Sequence, residues 1–488
     1  MVRFTGAGRE PALRPLDETS QPLELLLAVS RNGTSTLGAQ IEGQLRQAIR
    51  EGALRAGTRV PSTRDLARQV GVSRRIVVDA YAQLAAEGYL SLRQGARPRV
   101  SEAAAVAAAA STPLVEPAPL PRFNLRPSIP DVSRFPRTAW LRSLRHAVTS
   151  MSDSTLAYGD PRGVETLRLG LAEYLGRVRG VVADLDHIIV TCGYTQGQDM
   201  VCRALAARGA KRIALEHPGD PEQYRVAARA GLEPVPITVD DAGMRVEELD
   251  RSGADVVLVT PAHQHPTGVV LSGARRAALL AWLRERDAIA IEDDYDAEYR
   301  YDRAAVGALQ GLEPGRVVYG GSASKTLAPA LRLGWLVVPP GLLAAVTEAK
   351  VLSDRGTARI EQIALADFLA RGELDRHLRR MRVSYRARRD ALVAALADEL
   401  PEATVRGIAA GLQATVELPG GDDELAVLEH ARRRRIDLCT MADYGVPAGT
   451  GPPTLLLGYG QTPEPAIRPA IRELAEAVRA ARREGYPG

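Results

Sequence analysis

Gly320-Gly-Ser-Ala-Ser-Lys-Thr-Leu-Ala-Pro-Ala-Leu-Arg-Leu-Gly-Trp335 lies between a short β-like run, Arg316-Val-Val-Tyr319, and an apolar one, Leu336-Val-Val-Pro339. The chain contains three lysines, Lys211, Lys325 and Lys350, and otherwise carries its positive charge on arginine. A lone lysine is ordinarily a solvated loop residue. Here the neighbours argue otherwise. Ser322 and Ser324 supply hydroxyls, the glycines admit a close backbone approach, and Arg332 offers a fork suited to phosphate. Lysine also provides a neutral amine that condenses with a carbonyl, which arginine cannot do. It is the residue type that holds pyridoxal phosphate as a Schiff base.

At 488 residues the chain exceeds what one core organises, so two or three domains are expected. Its 45% hydrophobic and 25% charged residues are those of a water-soluble globular protein. Cys192, Cys202 and Cys439 form no metal-binding spacing and cannot all pair, which points to a reducing cytoplasm. There is no signal-peptide core and no run near the ~20 apolar residues of a membrane span. The net charge of +4 is unevenly spread: residues 1–100 hold 15 Arg against 9 Asp and Glu. A basic head on a near-neutral body implies a polyanion partner for that head.

Residues 1–22 read as an unstructured extension. Leu37, Ile41, Leu45 and Ile49 recur at helical spacing up to Gly52, and Gly57 and Pro61 mark a turn. Ser62-Thr-Arg-Asp65 starts a short helix reaching Val70, Gly71-Val72 turns, and Ser73 caps a second helix from Arg74 to Glu87. A strand at Tyr89–Leu92, a basic loop containing Arg93 and Arg97, and a return at Val100 complete a winged helix-turn-helix. Residues 101–122 form a linker dominated by Ala and Pro, able to span roughly 65 Å when extended.

From Phe123 strand-like and helical runs alternate, which predicts a largely parallel, helix-covered sheet. Such sheets bind ligands beyond the carboxyl ends of their strands. The loops there carry chemistry. Gly193-Tyr-Thr195 precedes a helix from about Gln198 and suits a phosphate. Pro261-Ala-His-Gln-His265 offers His263 and His265 as ring-edge hydrogen bonders rather than zinc ligands. Asp293-Asp-Tyr-Asp-Ala-Glu-Tyr-Arg300 offers a carboxylate for a pyridine nitrogen and a hydroxyl for a phenolic oxygen; a divalent cation is the alternative. No metal site is assigned.

Pro61-Ser-x-Arg-x-Leu-Ala67, Gly71-Val-Ser-Arg74, Ala80-Tyr81 and Gly88-Tyr89 resemble the GntR-type DNA-binding domain over about residues 23–100. That resemblance implies that Ser62, Arg64, Ser73, Arg74, Arg75 and Tyr81 face double-stranded DNA, with Arg93 and Arg97 as wing candidates. The family's wing commonly ends in Gly-Thr-Gly, where this chain has Gly95-Ala-Arg-Pro98. Residues 123–488 resemble the fold-type I aminotransferases, with a large subdomain at about 165–375 and a small one at about 376–488. The motifs are Tyr158-Gly-Asp-Pro-x-Gly163, Thr260-Pro-x-His-Gln-x-Pro-Thr-Gly268, Asp293 to Arg300 and the Lys325 segment. The combination resembles the MocR-type regulators, a winged helix-turn-helix fused to an α/β fold-type I transferase-like domain.

By that resemblance Lys325 forms the internal aldimine of pyridoxal 5'-phosphate and Asp293 pairs with the pyridine nitrogen. Tyr295 and His263 meet the ring edge, while Gly193, Tyr194, Thr195, Ser322, Ser324 and Arg332 hold the phosphate. Tyr158 reaches the partner's phosphate in a head-to-tail homodimer. Two departures stand out. Glu216-His-Pro-Gly-Asp220 has Asp where relatives carry a ring-stacking aromatic, leaving Tyr224 as a substitute. Thr454-Leu-Leu-Leu-Gly-Tyr-Gly460 holds no arginine to clamp a carboxylate, and Arg432–Arg435 reads as a helix end. The implied function is a regulator sensing pyridoxal phosphate or an amino compound. A working aminotransferase, or a half-reaction only, and a fold that merely dimerises stay open.

Overall fold

The computed structural model describes residues 27–31, 35–93, 95–102, 120–301 and 306–484. The expected N-terminal extension and most of the linker lie outside the described residues. The chain divides into two units, Met1–Ala118 and Pro119–Gly488. Among the described residues no helix is long and apolar enough to cross a membrane.

In the first unit α1 (Leu37–Arg50) buries Ile41, Leu45 and Ile49, the spacing legible in the sequence. Then α2 (Thr63–Gln69) and α3 (Arg74–Ala86) close a small core on Leu66, Val77 and Leu84. Behind them β1 (Leu90–Ser91) pairs antiparallel with β2 (Arg99–Val100) to form the wing. The strand predicted over Tyr89–Leu92 is shortened to these two residues.

The second unit enters through β3 (Phe123–Asn124), α4 (Arg137–Ser150), α5 (Asp153–Leu156) and α6 (Glu165–Arg179). Next come β4 (Ile188–Thr191), α7 (Tyr194–Ala207), β5 (Arg212–His217), α8 (Pro221–Arg229), β6 (Glu233–Asp240) and β7 (Gly243–Met244). They lead into α9 (Leu249–Ser252), β8 (Val256–Val259), α10 (Gly273–Glu285), β9 (Ile289–Asp294) and β10 (Val317–Ser322). After them run α11 (Ala323–Thr326), β11 (Gly334–Val337), α12 (Pro340–Asp354), α13 (Arg359–Ala370) and α14 (Glu373–Glu399). The unit ends with β12 (Thr404–Arg406), β13 (Gln413–Glu417), α15 (Glu424–Arg433), β14 (Ile436–Asp437), β15 (Cys439–Thr440), β16 (Thr454–Gly458) and α16 (Glu464–Glu484).

Eight strands form the main sheet in the order β4-β11-β10-β9-β8-β5-β6-β7. Strands β10, β9, β8, β5 and β6 run parallel, whereas β11 lies antiparallel between β4 and β10. Every residue of β4 and β8 is buried, as expected where helices cover both faces. A second sheet, β12-β13-β16-β15, is antiparallel, and β3 pairs separately with β14. Register decides where the site lies. Asp293 stands opposite Gly320, Ser322 opposite Gly334, and Gly334 opposite Thr191, so the carboxyl ends of β4, β9 and β10 converge on one edge.

Candidate functional site

Ser62 occupies the N-cap of α2. Its hydroxyl accepts from the Asp65 amide at 3.2 Å and donates to the Asp65 carboxylate at 2.6 Å, so that group is committed to the cap. Ser73 sits at the N-cap of α3, exposed, and its hydroxyl makes no capping bond. Arg64, Arg74 and Arg75 are exposed at the starts of the two helices. Arg74 Nε donates to Thr63 Oγ1 at 3.3 Å, and Arg75, 92% exposed, lies 4.0 Å from Asp79. This leaves both guanidinium groups open to a phosphate or a base edge. Arg93 and Arg97 are exposed on either side of the turn at Gly95.

Tyr81 corrects the expectation. It is 1% exposed and its hydroxyl donates to the Pro61 carbonyl at 2.9 Å. Its ring belongs to the core stripe Val77, Ala80, Tyr81 and Leu84, and burial pushes the phenol well above its ordinary range. It supports α2 from within and does not face a ligand.

In the second unit Lys325 lies on α11, and its Nζ donates to the Ser128 carbonyl at 2.7 Å. Ser128 adopts a left-handed φ of 58°, and its hydroxyl donates to Gln413 Oε1 at 2.8 Å. Gln413 Nε2 in turn meets His265 Nδ1 at 2.9 Å. Burial lowers the Lys325 amine below the usual lysine value, although Asp296, Asp293, Asp220 and Glu222 pull the other way. A depressed amine is the form that attacks a carbonyl. Burial, aided by Lys325 and His263, also holds His265 down at about 3, so its imidazole is neutral. Its ring meets those of Tyr444 and Tyr295 edge-on at 4.9 and 5.8 Å.

The two adjacent carboxylates at the end of β9 differ. Asp294 is paired with Arg179 at 2.6 Å and accepts from the Tyr319 hydroxyl at 2.7 Å. Among the described residues Asp293 makes no ion pair, though the Lys325 ammonium lies within its field. One oxygen accepts from Gln223 Nε2 at 2.8 Å, while Oδ1 is buried without a partner. Burial, then the fields of Asp220 and Asp294, push its carboxyl well above the usual range. The Tyr295 hydroxyl lies 3.1 Å from His263 Nδ1, which is 2.9 Å from Asp296 Oδ2, and the His263 and Tyr295 rings stack at 6.1 Å.

At the other end α7 begins at Tyr194, four residues before the expected start, because Gly193 with φ 81° serves as its N-cap. A Cβ on Gly193 would come within 2.8 Å of Arg332 Nη2. Arg332, itself left-handed at φ 51°, donates to the Cys192 carbonyl at 2.9 Å. Thr195 is exposed on the first turn of α7. Ser322 caps α11 and accepts from the Ser324 amide at 3.4 Å. Tyr194 opens the helix, as a backbone contribution to a phosphate requires, while its ring packs where a Cβ on Gly320 would sit, at 2.5 Å, and its hydroxyl is buried. Only its amide, not its side chain, is available at the helix start.

The remaining expectations divide. Tyr158 is 87% exposed, with the Arg355 guanidinium 5.9 Å from its ring. Asp220 caps α8 by accepting from the Glu222 amide at 2.8 Å. Tyr224 cannot replace a stacking aromatic as placed: its hydroxyl donates to the Glu216 carbonyl at 2.9 Å and its ring packs on the core beneath β5. Arg433 and Arg434 end α15 and are paired with Glu429 and Glu473. Ser128, Gln223, Asp296 and Gln413 complete the site without having been singled out for it.

Pyridoxal 5'-phosphate fits this set. The partnerless Asp293 oxygen suits a protonated pyridine nitrogen. Lys325 suits the aldehyde. The amides of Gly193, Tyr194 and Thr195, with Ser322, Ser324 and Arg332, suit the phosphate.

Comparisons agree with the geometry. Residues 130–427 match the family model for aminotransferase class I and II, and residues 37–100 that for bacterial regulatory proteins of the gntR family. The HTH-type pyridoxine biosynthesis transcriptional regulator PdxR of Corynebacterium glutamicum is 31% identical over 93% of this chain and 99% of its own. The probable rhizopine catabolism regulatory protein MocR of Rhizobium meliloti is 31% identical over 94% and 97% respectively. Among solved structures, kynurenine aminotransferase of Pyrococcus horikoshii is similar with a TM-score of 0.66 and 28% identity, covering 73% of this chain and 91% of that one.

Proposed function

Since the chain belongs to the GntR-family transcriptional regulators that carry an aminotransferase class I and II domain, we propose that it controls transcription by reading the state of its pyridoxal phosphate site. The observation that carries this reading is the presence in one chain of two different sites. One is an exposed helix start bearing Arg74 and Arg75; the other is a half-buried Lys325 beside a partnerless Asp293 oxygen. Arg64, Arg93 and Arg97 add phosphate contacts around the recognition helix, and Ser73 offers its uncommitted hydroxyl.

In the second unit Lys325 is the attachment point. Asp293 would pair with the ring nitrogen, and Tyr295, backed by His263 and Asp296, would serve the ring oxygen. Ser322, Ser324, Arg332, Gly193 and Thr195 hold the phosphate. Bound, the cofactor supplies an aldehyde that exchanges amines, so a small amino compound competes with Lys325. Lys325 Nζ, when not engaged by the cofactor, would be held by the Ser128 carbonyl, and Ser128 is tied in turn to Gln413 on β13. Tyr158, with Leu156 and Leu352 of the same unit 67% and 81% exposed, supports a surface for a second copy and thus a head-to-tail homodimer. The setting is the cytoplasm, where the DNA is.

A ligand that shifts this dimer must bind its two arrangements unequally, typically by about 1–3 kcal/mol. The test is a mobility-shift titration of promoter DNA with the full chain, with and without pyridoxal phosphate and candidate amines. A change of affinity of roughly five- to a hundredfold is expected. Unchanged affinity, while visible absorbance reports bound cofactor, rejects sensing. The intact Lys325–Asp293–Tyr295 set also favours a second reading, a working aminotransferase. Buried Leu455, Leu456 and Leu457 occupy β16 where a clamping arginine was sought, which weighs against it. Multiple-turnover assays with amino donors and keto acids decide the point.

A further inference from the structure

Lys350 is the one lysine of the second unit that is entirely buried, at 0% exposure, and nothing above uses it. Its Nζ donates to Asp354 Oδ2 at 2.7 Å, Thr357 Oγ1 at 2.7 Å and Gln196 Oε1 at 3.1 Å, which satisfies all three of its protons. Each partner leads to the phosphate end of the cofactor site. Gln196 Oε1 also accepts from the Cys192 amide at 2.7 Å, and Gln196 Nε2 donates to Asp354 Oδ2 at 2.8 Å. Thr357 Oγ1 passes its own proton to the Val190 carbonyl at 3.1 Å, at the end of β4. The Cys192 peptide is therefore held from both sides, by Gln196 at its amide and by Arg332 at its carbonyl. The next three residues are Gly193, Tyr194 and Thr195, whose amides open α7.

We propose that Lys350 is a positioning residue for the phosphate cradle: it fixes Gln196 and Thr357 so that the Cys192–Thr195 turn keeps its amides aimed at one point. The proposal rests on the reading that this site takes pyridoxal phosphate. It explains why a fully buried ammonium is retained in a chain that otherwise uses arginine. A guanidinium is too large and too planar for three acceptors grouped about one nitrogen. The same network reaches outward. Asp354 Oδ1 accepts from the Gly356 amide at 2.8 Å, Arg355 lies over the Tyr158 ring, and Arg359 donates to the Ala157 carbonyl at 3.1 Å. Occupancy of the phosphate cradle is thus linked through one ammonium to the exposed Tyr158 segment.

The experiment titrates full-length wild type and Lys350→Met with pyridoxal phosphate and, separately, with pyridoxal, which lacks the phosphate. Visible absorbance is followed, and thermal melting is recorded alongside. Lys350→Met is expected to lose about ten- to a hundredfold in affinity for pyridoxal phosphate while pyridoxal changes by less than about twofold. Gln196→Leu, which leaves Lys350 paired with Asp354 and Thr357, is expected to show the same selective loss and serves if Lys350→Met does not fold. Equal losses for the two aldehydes, or no loss for either, would mean that Lys350 only supports the fold and would overturn the proposal. A wild type that binds neither aldehyde overturns the cofactor reading itself, and this inference with it.

Discussion

At the start of α3 the functional cations are exposed and loosely held, whereas at the carboxyl ends of β9 and β10 the functional groups are buried and closely surrounded. Arg75 is 92% exposed with a single carboxylate 4.0 Å away; Asp293 is 8% exposed with one oxygen satisfied and the other stranded. The contrast follows from the ligands. A polyanion brings its own solvent and counterions, so its partner gains from charge held ready in water. A covalently attached aldehyde needs a dehydrated amine and an acceptor that nothing else in the protein fills. The first kind of site fails by degrees as charges are removed, and the second fails when one atom goes.

Replacement of Lys325 by Ala should bring the sharpest loss: the absorbance near ~420 nm of the lysine-bound cofactor should vanish altogether. Persistence of that band would show that the cofactor is attached elsewhere. Removing Arg74 and Arg75 together should weaken promoter binding by about 1–3 kcal/mol each and flatten the dependence on salt by about two phosphate contacts, with cofactor binding unaltered. Binding that keeps its strength and salt slope would remove α3 from the interface.

A third outcome concerns acid–base behaviour. Burial pushes the Glu216 carboxyl up to about 7, against Thr260 and Gln264, which donate to it. The folded chain then holds a proton that the unfolded chain has released above about 4.5. This group's contribution to stability falls as pH rises from about 4.5 to about 7, by on the order of 3 kcal/mol. Denaturant melts of Glu216→Gln should lose that part of the slope; an unaltered slope assigns the effect to other groups. Last and smallest, Tyr81→Phe should cost about 1 kcal/mol of stability in urea and leave DNA affinity as it was. Weakened DNA binding without destabilisation would return Tyr81 to the interface.

The same contrast explains what was legible in the sequence. The Lys325 segment and the Ser62-to-Arg75 stretch are local patterns in which neighbours in sequence stay neighbours in space. Tyr81 was misassigned because a position in a motif says nothing of which way a side chain points. Its spacing from Val77 and Leu84 already marked the core face. The start of α7 was hidden because glycine before a helix is common and only its positive φ reveals the cap. Ser128 with Lys325, 197 residues apart, and Gln223 with Asp293, 70 apart, leave no local trace at all. Buried sites are assembled from distant segments, so sequence shows their chemistry before it shows their supports.

One modest pairing has a mechanical meaning. Phe123 and Asn124 run parallel to Ile436 and Asp437, so the first described strand of the second unit is stitched to the C-terminal part of that unit, outside the eight-stranded sheet. Any swing of that part about the sheet would drag the root of the linker with it, as a rein is drawn by the hand that holds it.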